Sequence, residues 1–259
     1  MCPPAHFAVV YAINPWMHPE LPADAGRALA EWEQLRAAYV RAGHNVRTVT
    51  PALGLPDMVF AANAALVIDG TAFLARFRYA QRRGEEKLYA RWFKRQGFNV
   101  VRAEHGHEGE GDFACVGELI LAGTGFRTEP AAHREAERVF GRQVLSLELV
   151  DPRFYHLDTA LFALDAEQIA YFPDAFSPDA RATLRRRFPD AILVGEHDAL
   201  AFGCNAMSDG SRVFVPAGAE QLSCDLETRG FVPVPIALPE LRKAGGSVKC
   251  CTLELRQAQ

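Results

Sequence analysis

The sequence predicts an α/β protein built as a five-bladed, pseudo-symmetric propeller of strand–strand–helix–strand (ββαβ) units, one domain over residues 1–259. Three observations predict it. Turn dipeptides separate paired apolar runs at a near-constant spacing. An amphipathic helical stretch follows each pair. A short apolar strand follows each helix. The turns begin at residues 69, 117, 165 and 209, so the spacings are 48, 48 and 44, and a period of that length marks a repeat architecture.

The first hairpin joins Ala65–Ile68 to Thr71–Leu74 through Asp69-Gly70, a dipeptide suited to the positive φ angles of a two-residue β-turn. Its helix spans about Arg83–Gln96, where Leu88, Trp92 and Phe93 lie on one face among charges. Its closing strand is Phe98–Val101. The second unit pairs Phe113–Val116 with Leu119–Leu121, followed by a helix near Pro130–Gly141 and a strand at Val144–Leu147. The third pairs Ala160–Leu164 with Gln168–Phe172, followed by a helix near Pro178–Phe188 and a strand at Ala191–Val194. The fourth pairs Cys204–Met207 with Arg212–Val215, followed by Ala219–Arg229 and Phe231–Val234. Pro130 and Pro178 suit a first helical turn, and Gly97, Gly141 and Gly230 suit helix ends. The fifth unit closes around the termini. Its helix is expected near Ala23–Ala42, its last strand at Asn45–Val49, and its hairpin between Phe7–Ile13 and Cys250–Leu255.

Composition narrows the function. The 259 residues are 49% hydrophobic and 23% charged with a formal net charge of -4, so the chain can bury enough apolar surface to offset its conformational entropy. Lys plus Arg (28) does not exceed Asp plus Glu (32), which argues against a nucleic-acid partner. No apolar run approaches the ~20 residues that cross a bilayer, so no membrane partner is expected. Met1-Cys2-Pro3-Pro4 lacks a basic stretch followed by an apolar one, so no signal peptide is expected. Six cysteines without a CxxC pair support neither a disulfide scaffold nor structural zinc. The expected setting is cytoplasmic, with reduced thiols. No motif specifies an oligomeric state, and a homo-oligomer stays open.

In such a repeat the loops ahead of the first strands converge on the axis, and polar clusters sit there. Asp57 and Asn63 flank an apolar run. Glu108, Glu110 and Asp112 place three carboxylates within five residues, loosened by glycine, just before a buried strand. A cationic ligand or an acid of raised pKa would account for them. His156 and Asp158 alternate with apolar residues and, on a strand, would share one face. Gly245-Gly246-Ser247-Val248-Lys249-Cys250 delivers a cysteine to the start of the last strand, with Cys251 facing the opposite way. Cysteine, histidine and carboxylate form a nucleophile, base and orienter set.

These residues resemble the guanidino-group-modifying superfamily, whose members share the five-bladed ββαβ propeller (pentein) fold and include arginine deiminases, dimethylarginine dimethylaminohydrolases, amidinotransferases and arginine dihydrolases. Asn14-Pro15-Trp16-Met17, Asp57 to Asn63, Glu108 to Asp112, His156-Leu157-Asp158 and Gly245 to Cys250 occur in that family's order over essentially the whole chain. The resemblance implies that Cys250 attacks the guanidinium carbon and that His156 moves protons to the departing nitrogen and from water. It implies that the acid of the Glu-Gly segment supports His156; Glu108 is preferred, with Glu110 the alternative. Asp158 would hold unsubstituted guanidinium N–H groups, Arg82 and Arg127 the substrate carboxylate, and Asp57 is a further substrate-binding residue.

Two departures point to a subfamily. Asp158 stands where dimethylarginine hydrolases usually lack an acid. Asn63 stands where arginine deiminases usually place an aspartate, and a carboxamide can both donate to and accept from neutral citrulline. Asn63 and Asn14 are similar to the arginine dihydrolases. The resemblance therefore implies hydrolysis of L-arginine through a thiouronium intermediate to ornithine, ammonia and carbon dioxide, with no metal or organic cofactor and a small guanidino substrate as the partner. The alternatives are a single-step hydrolase that releases citrulline from arginine or methylated arginine, and an amidinotransferase. A binding module with decayed chemistry is the non-enzymatic reading.

Overall fold

The computed structural model describes residues 1–256. Helix α1 (Ala25–Arg41) opens on Asp24, whose carboxylate accepts the Arg27 N–H, the usual service of an N-cap aspartate. Strands β1 (Ala65–Ile68) and β2 (Thr71–Leu74) pair antiparallel with Val67 opposite Ala72. Their turn holds Asp69 and Gly70 at φ 49° and 73°, the left-handed pair a tight hairpin demands. Helix α2 (Ala80–Arg95) then returns the chain to β3 (Asn99–Arg102), parallel to β2. The second unit repeats this with β4 (Phe113–Val116), β5 (Leu119–Thr124), α3 (Pro130–Phe140) and β6 (Val144–Glu148). The third uses β7 (Leu161–Ala163), β8 (Ile169–Tyr171), α4 (Pro178–Arg187) and β9 (Ile192–Leu193). A short helix α5 (Glu196–Leu200) precedes the fourth, which has β10 (Met207–Ser208), β11 (Arg212–Pro216), α6 (Glu220–Thr228) and β12 (Val232–Ile236).

The result is four separate three-stranded sheets, each an antiparallel hairpin plus one parallel return strand. All four residues of β1 are buried, because a strand covered on both faces must be apolar throughout. Helices α2, α3 and α6 lie against the return strands β3, β6 and β12, and Leu35, Trp32, Phe93, Ala136, Leu184 and Leu226 carry the buried faces of the helices. Helix α7 (Pro239–Arg242) is held against α1 by Glu31, whose carboxylate accepts the backbone N–H groups of Glu240 and Leu241. Among the described residues no helix is long and apolar enough to cross a membrane.

The fifth unit departs from expectation. Its helix forms, but no regular strand does over Phe7–Ile13, Asn45–Val49 or Cys250–Leu255. Phe7, Val9 and Ile13 are buried while Val10 and Ala12 are exposed, so the in–out alternation survives without a hydrogen-bond ladder. The backbone partners lie elsewhere. The amino terminus donates to the Arg47 carbonyl, Val49 N–H donates to Met1, and Gly70 N–H donates to Arg256. Ser247 to Thr252 coil into a turn, with Cys251 N–H on Ser247 and Thr252 N–H on Lys249. Cys250 therefore sits in a turn and not at the head of a strand. A side chain from the fourth unit intercepts the N–H groups of Ser247 and Cys250, so they are not free to pair with a neighbouring strand.

Candidate active site

Each described unit places its polar cluster in the stretch just ahead of its first strand. Single 3-10 turns run over Pro56–Val59 and Ala61–Ala64 before β1, Gly109–Gly111 before β4, and Leu157–Thr159 before β7. His156 thus caps this turn and Asp158 sits within it, so the two do not alternate along a strand as the sequence pattern suggests. The Thr159 hydroxyl donates to the His156 carbonyl at 2.7 Å and fixes that turn.

Cys250 is 2% exposed. Its Sγ lies 3.2 Å from Asp158 Oδ2 and 3.1 Å from the carboxamide nitrogen of Asn205. Burial raises the Cys250 thiol well above its ordinary pKa, and the Asp158 charge adds to that. Burial also lifts Asp158 to about 7, against the pull of its bond to Cys250 and of Lys249. The pair rests as a thiol beside a carboxyl poised near neutrality.

The second group is His156, Glu108 and Arg127. His156 Nε2 lies 2.8 Å from Glu108 Oε2, and Arg127 donates to the same oxygen at 3.0 Å and to the Ile13 carbonyl at 2.7 Å. Burial pushes the Glu108 carboxyl up, but the charge of Arg127, together with His156 and Arg82, outweighs it and holds the acid well below the ordinary range. Glu108 is therefore ionised and points its charge at the imidazole. Glu110 faces elsewhere: it binds Lys249 Nζ at 2.7 Å, Arg256, and the Glu254 N–H. Asp112 accepts from Leu157 N–H and the Thr128 hydroxyl, and burial lifts it to about 6. Of the three carboxylates in this segment, only Glu108 reaches His156. Gly111 makes the close approach possible, since a Cβ there would stand 2.2 Å from Asn63 Nδ2 and 3.3 Å from His156 Nδ1.

The third group surrounds Asn63, which is 2% exposed. Its Oδ1 accepts from Arg82 at 2.6 Å and its Nδ2 donates to the Glu108 carbonyl at 3.4 Å. Arg82 also grips Glu85 through two bonds of 2.9 and 2.8 Å and donates to the Asp57 carbonyl. Burial alone would lower the Arg82 pKa; Glu85, Asp57 and Glu108 outweigh it and keep the guanidinium charged. Asp57 accepts from the Tyr11 hydroxyl at 2.9 Å. Here the structure differs from expectation: Arg82 is committed to Glu85 and Arg127 to Glu108. A substrate carboxylate would have to take over donors that these acids now use. Arg127 is further clasped between the Tyr79 and Tyr155 rings, 4.6 and 4.7 Å from their centroids, a cation–π arrangement. Asn14 donates to the Ala244 carbonyl and accepts from Trp16 N–H, so it braces the Gly245 turn.

Four buried polar atoms in these groups make no hydrogen bond within the protein: Asp57 Oδ1, Glu108 Oε1, Asp158 Oδ1 and His156 Nδ1. Buried polar atoms are normally satisfied. The three unpaired carboxylate oxygens form acceptor capacity for a small cation rich in N–H groups. Cys250, His156 and Glu108 are each at most 2% exposed, so a covering segment must move to admit a ligand. A cavity of about 810 Å³ reaches Asp158, Glu110 and Lys249 from the side of the β-turns but does not touch Cys250 or His156. Potential metal ligands gather apart from the site, at Glu104, His105 and Glu135, where Glu135 already accepts the backbone N–H groups of Glu104 and His105.

Sequence reasoning missed Asn205 and Glu85. Asn205 sits just ahead of β10, where the other units carry Asn63, Glu108 and His156, so the repeat itself held the signal. Glu85 lies three residues from Arg82 on α2, the spacing of a helical ion pair.

Comparison with known proteins places the chain in a family. The eukaryotic N,N-dimethylarginine dimethylhydrolase family matches residues 18–257. The N(G),N(G)-dimethylarginine dimethylaminohydrolase of Mycobacterium tuberculosis is 52% identical over 98% of this chain and 84% of its own length. The bifunctional arginine dihydrolase/ornithine cyclodeaminase ArgZ of Synechocystis is 37% identical over 99% of this chain, which spans only 37% of that protein. The crystal structure of the substrate-bound N-terminal domain of ArgZ superposes with a TM-score of 0.95 at 36% identity, covering 99% of this chain and 97% of that one. The fold, the family match and these relatives together identify the chain as a member of the dimethylarginine dimethylaminohydrolase family, pentein hydrolases that act on the C–N bonds of arginine-type guanidino compounds.

Proposed function

We propose that the chain hydrolyses L-arginine twice at Cys250, giving ornithine, carbon dioxide and two ammonia. One observation carries the choice of substrate: Asp158, with Oδ1 unpaired, stands 3.2 Å from the nucleophile. An unsubstituted guanidinium nitrogen supplies N–H groups to that oxygen. Two N-methyl groups supply none and would leave a buried acceptor unpaired, which costs about 1–3 kcal/mol.

In this reading Cys250 loses its thiol proton to solvent, Sγ bonds to the guanidinium carbon, and the C–N bond to a terminal nitrogen breaks. His156, held by Glu108, gives the proton that lets ammonia leave. The imidazole then takes a proton from water, whose oxygen bonds to the same carbon as the C–S bond breaks, and citrulline forms. In the second round ammonia leaves again, water releases a carbamic acid, and that acid loses carbon dioxide to give ornithine. Asn63 suits both rounds, because its carboxamide does not demand a cation. A second reading, release of dimethylamine and citrulline from dimethylarginine, is favoured by the name of the 52%-identical relative.

Incubation with arginine, citrulline and dimethylarginine separates the readings. Ornithine with two ammonia per arginine is expected; accumulating citrulline, or turnover of dimethylarginine alone, overturns the first reading. Asn63→Asp adds an acid that pairs with Arg82 and favours a cation over neutral citrulline. The variant is expected to stop mainly at citrulline, and an unchanged ornithine yield would remove Asn63 from the second round.

Asp158 also predicts a pH limb. An acid lifted to about 7 is neutral below that pH and ionised above it, and only the carboxylate grips a guanidinium. The kcat/KM for arginine should climb as pH rises through about 7. Asp158→Asn should flatten that limb and lower kcat/KM at least roughly 10²-fold, the scale of losing a charged partner. An intact limb in the variant would assign it to another group.

A further inference from the structure

We propose that Asn205 is a catalytic residue that stabilises the thiolate of Cys250 and holds its turn, an inference that rests on the assignment of Cys250 as nucleophile. Asn205 is fully buried. Its side chain makes four hydrogen bonds. Oδ1 accepts from the N–H groups of Ser247 and Cys250, both at 3.1 Å. Nδ2 donates to the Asp158 carbonyl at 3.0 Å and to Cys250 Sγ at 3.1 Å. Two backbone N–H groups can only donate, and a carbonyl can only accept, so the network itself fixes which end of the amide is which. The full capacity of one carboxamide is used, and all of it is spent on the nucleophile, its turn and the chain at Asp158.

The sulfur needs this donor. The acid facing it is hostile to negative charge: Asp158 Oδ2 lies 3.2 Å from Sγ. No lysine or arginine donates to Sγ among the described residues. A neutral carboxamide N–H strengthens when its acceptor becomes an anion, and so lowers the energy of the thiolate without adding a charge that would repel a guanidinium. Its second role is geometric. By capturing Ser247 and Cys250 N–H, Asn205 bends the last segment away from a strand ladder and presents Sγ beside Asp158. The resemblance between the units supports this reading: Asn205 precedes β10 as Asn63 precedes β1, each by two residues, and Asn205 touches the reacting atom.

The test separates the two roles. Asn205→Asp keeps an oxygen acceptor for Ser247 and Cys250 N–H but puts a carboxylate where the donor was; Asn205→Ala removes both. The rate of iodoacetamide alkylation of the Cys250 peptide, followed by mass spectrometry against pH, reads the thiol directly without turnover. For Asn205→Asp we expect the alkylation midpoint to rise by at least about one pH unit, kcat to fall at least roughly 10²-fold and KM to change little, with some loss of melting temperature because the Asp158 carbonyl loses its donor. Asn205→Ala should show the same midpoint shift with a lower melting temperature. A wild-type midpoint and kcat in either folded variant overturns the proposal. If instead the wild-type enzyme turns over after Cys250 is alkylated, the nucleophile assignment fails first, and that failure is visible without any Asn205 variant.

Discussion

Cys250→Ser is expected to lose turnover by at least roughly 10⁴-fold, the scale seen when a covalent nucleophile is removed, with little change in melting temperature. The substitution exchanges one buried chalcogen for a smaller one. The hydroxyl can still accept from the Asn205 carboxamide and donate to Asp158 Oδ2, the two contacts Sγ now makes, and its backbone N–H still reaches Asn205 Oδ1. The turn therefore stays. What disappears is the nucleophile's accessible anion. A buried thiol is already raised well above its ordinary value here, and an alcohol lies many units higher still, beyond what one carboxamide and one imidazole can offset. Steady-state ammonia release gives the rate, and thermal melting gives the fold. Acid-quenched wild type should carry a substrate-derived adduct on the Cys250 peptide, and Cys250→Ser should carry none. Activity within tenfold of wild type would sink the covalent route.

The fold was readable because the repeat is written in local chemistry. Asp69-Gly70 forces a tight turn, Pro130 and Pro178 open helices where they were placed, and continuous apolar runs become strands buried on both faces. The fifth unit was misread for a non-local reason. Phe7–Ile13 alternates as a strand should, yet strand formation needs a partner. The expected partner around Cys250 is drawn into a turn by Asn205, 45 residues earlier in the chain. The site followed the same division. Glu108 and Glu110 are two residues apart and chemically alike; only Lys249 and Arg256, packed against Glu110, show which is free to reach His156. The Arg82–Glu85 pair was visible as a helical spacing, but that it would be buried and would occupy the fork expected for a substrate depends on α2 packing against the Asp57 turn. Contacts between units carry this information, and no single segment contains it.

Glu108→Gln is the companion test, because it removes charge from His156 while leaving the shape. The amide can accept from either His156 or Arg127, but a neutral group no longer places a negative charge beside the imidazole that gives its proton as ammonia leaves. We expect kcat to fall roughly 10³-fold, within the range of general acid–base assistance, with a smaller effect on KM. The variant also leaves Arg127 as a buried cation without its counter-ion, and such losses cost about 3–5 kcal/mol when the partner is removed outright; the retained amide oxygen should keep the penalty below that. The acid side gives an independent reading. Glu108 is held below its ordinary pKa in the folded state, so its contribution to stability is fully present above the unfolded carboxylate value, about 4.3, and is lost as pH falls towards the folded one. Wild type should lose stability over that interval, and Glu108→Gln should lose less, because its position no longer takes up a proton. Urea melts at pH 7, 4.5 and 3 measure the difference. Equal acid slopes in the two proteins would mean that Glu108 is not the anion that Arg127 and His156 share, and the proton relay would have to be rebuilt around another acid.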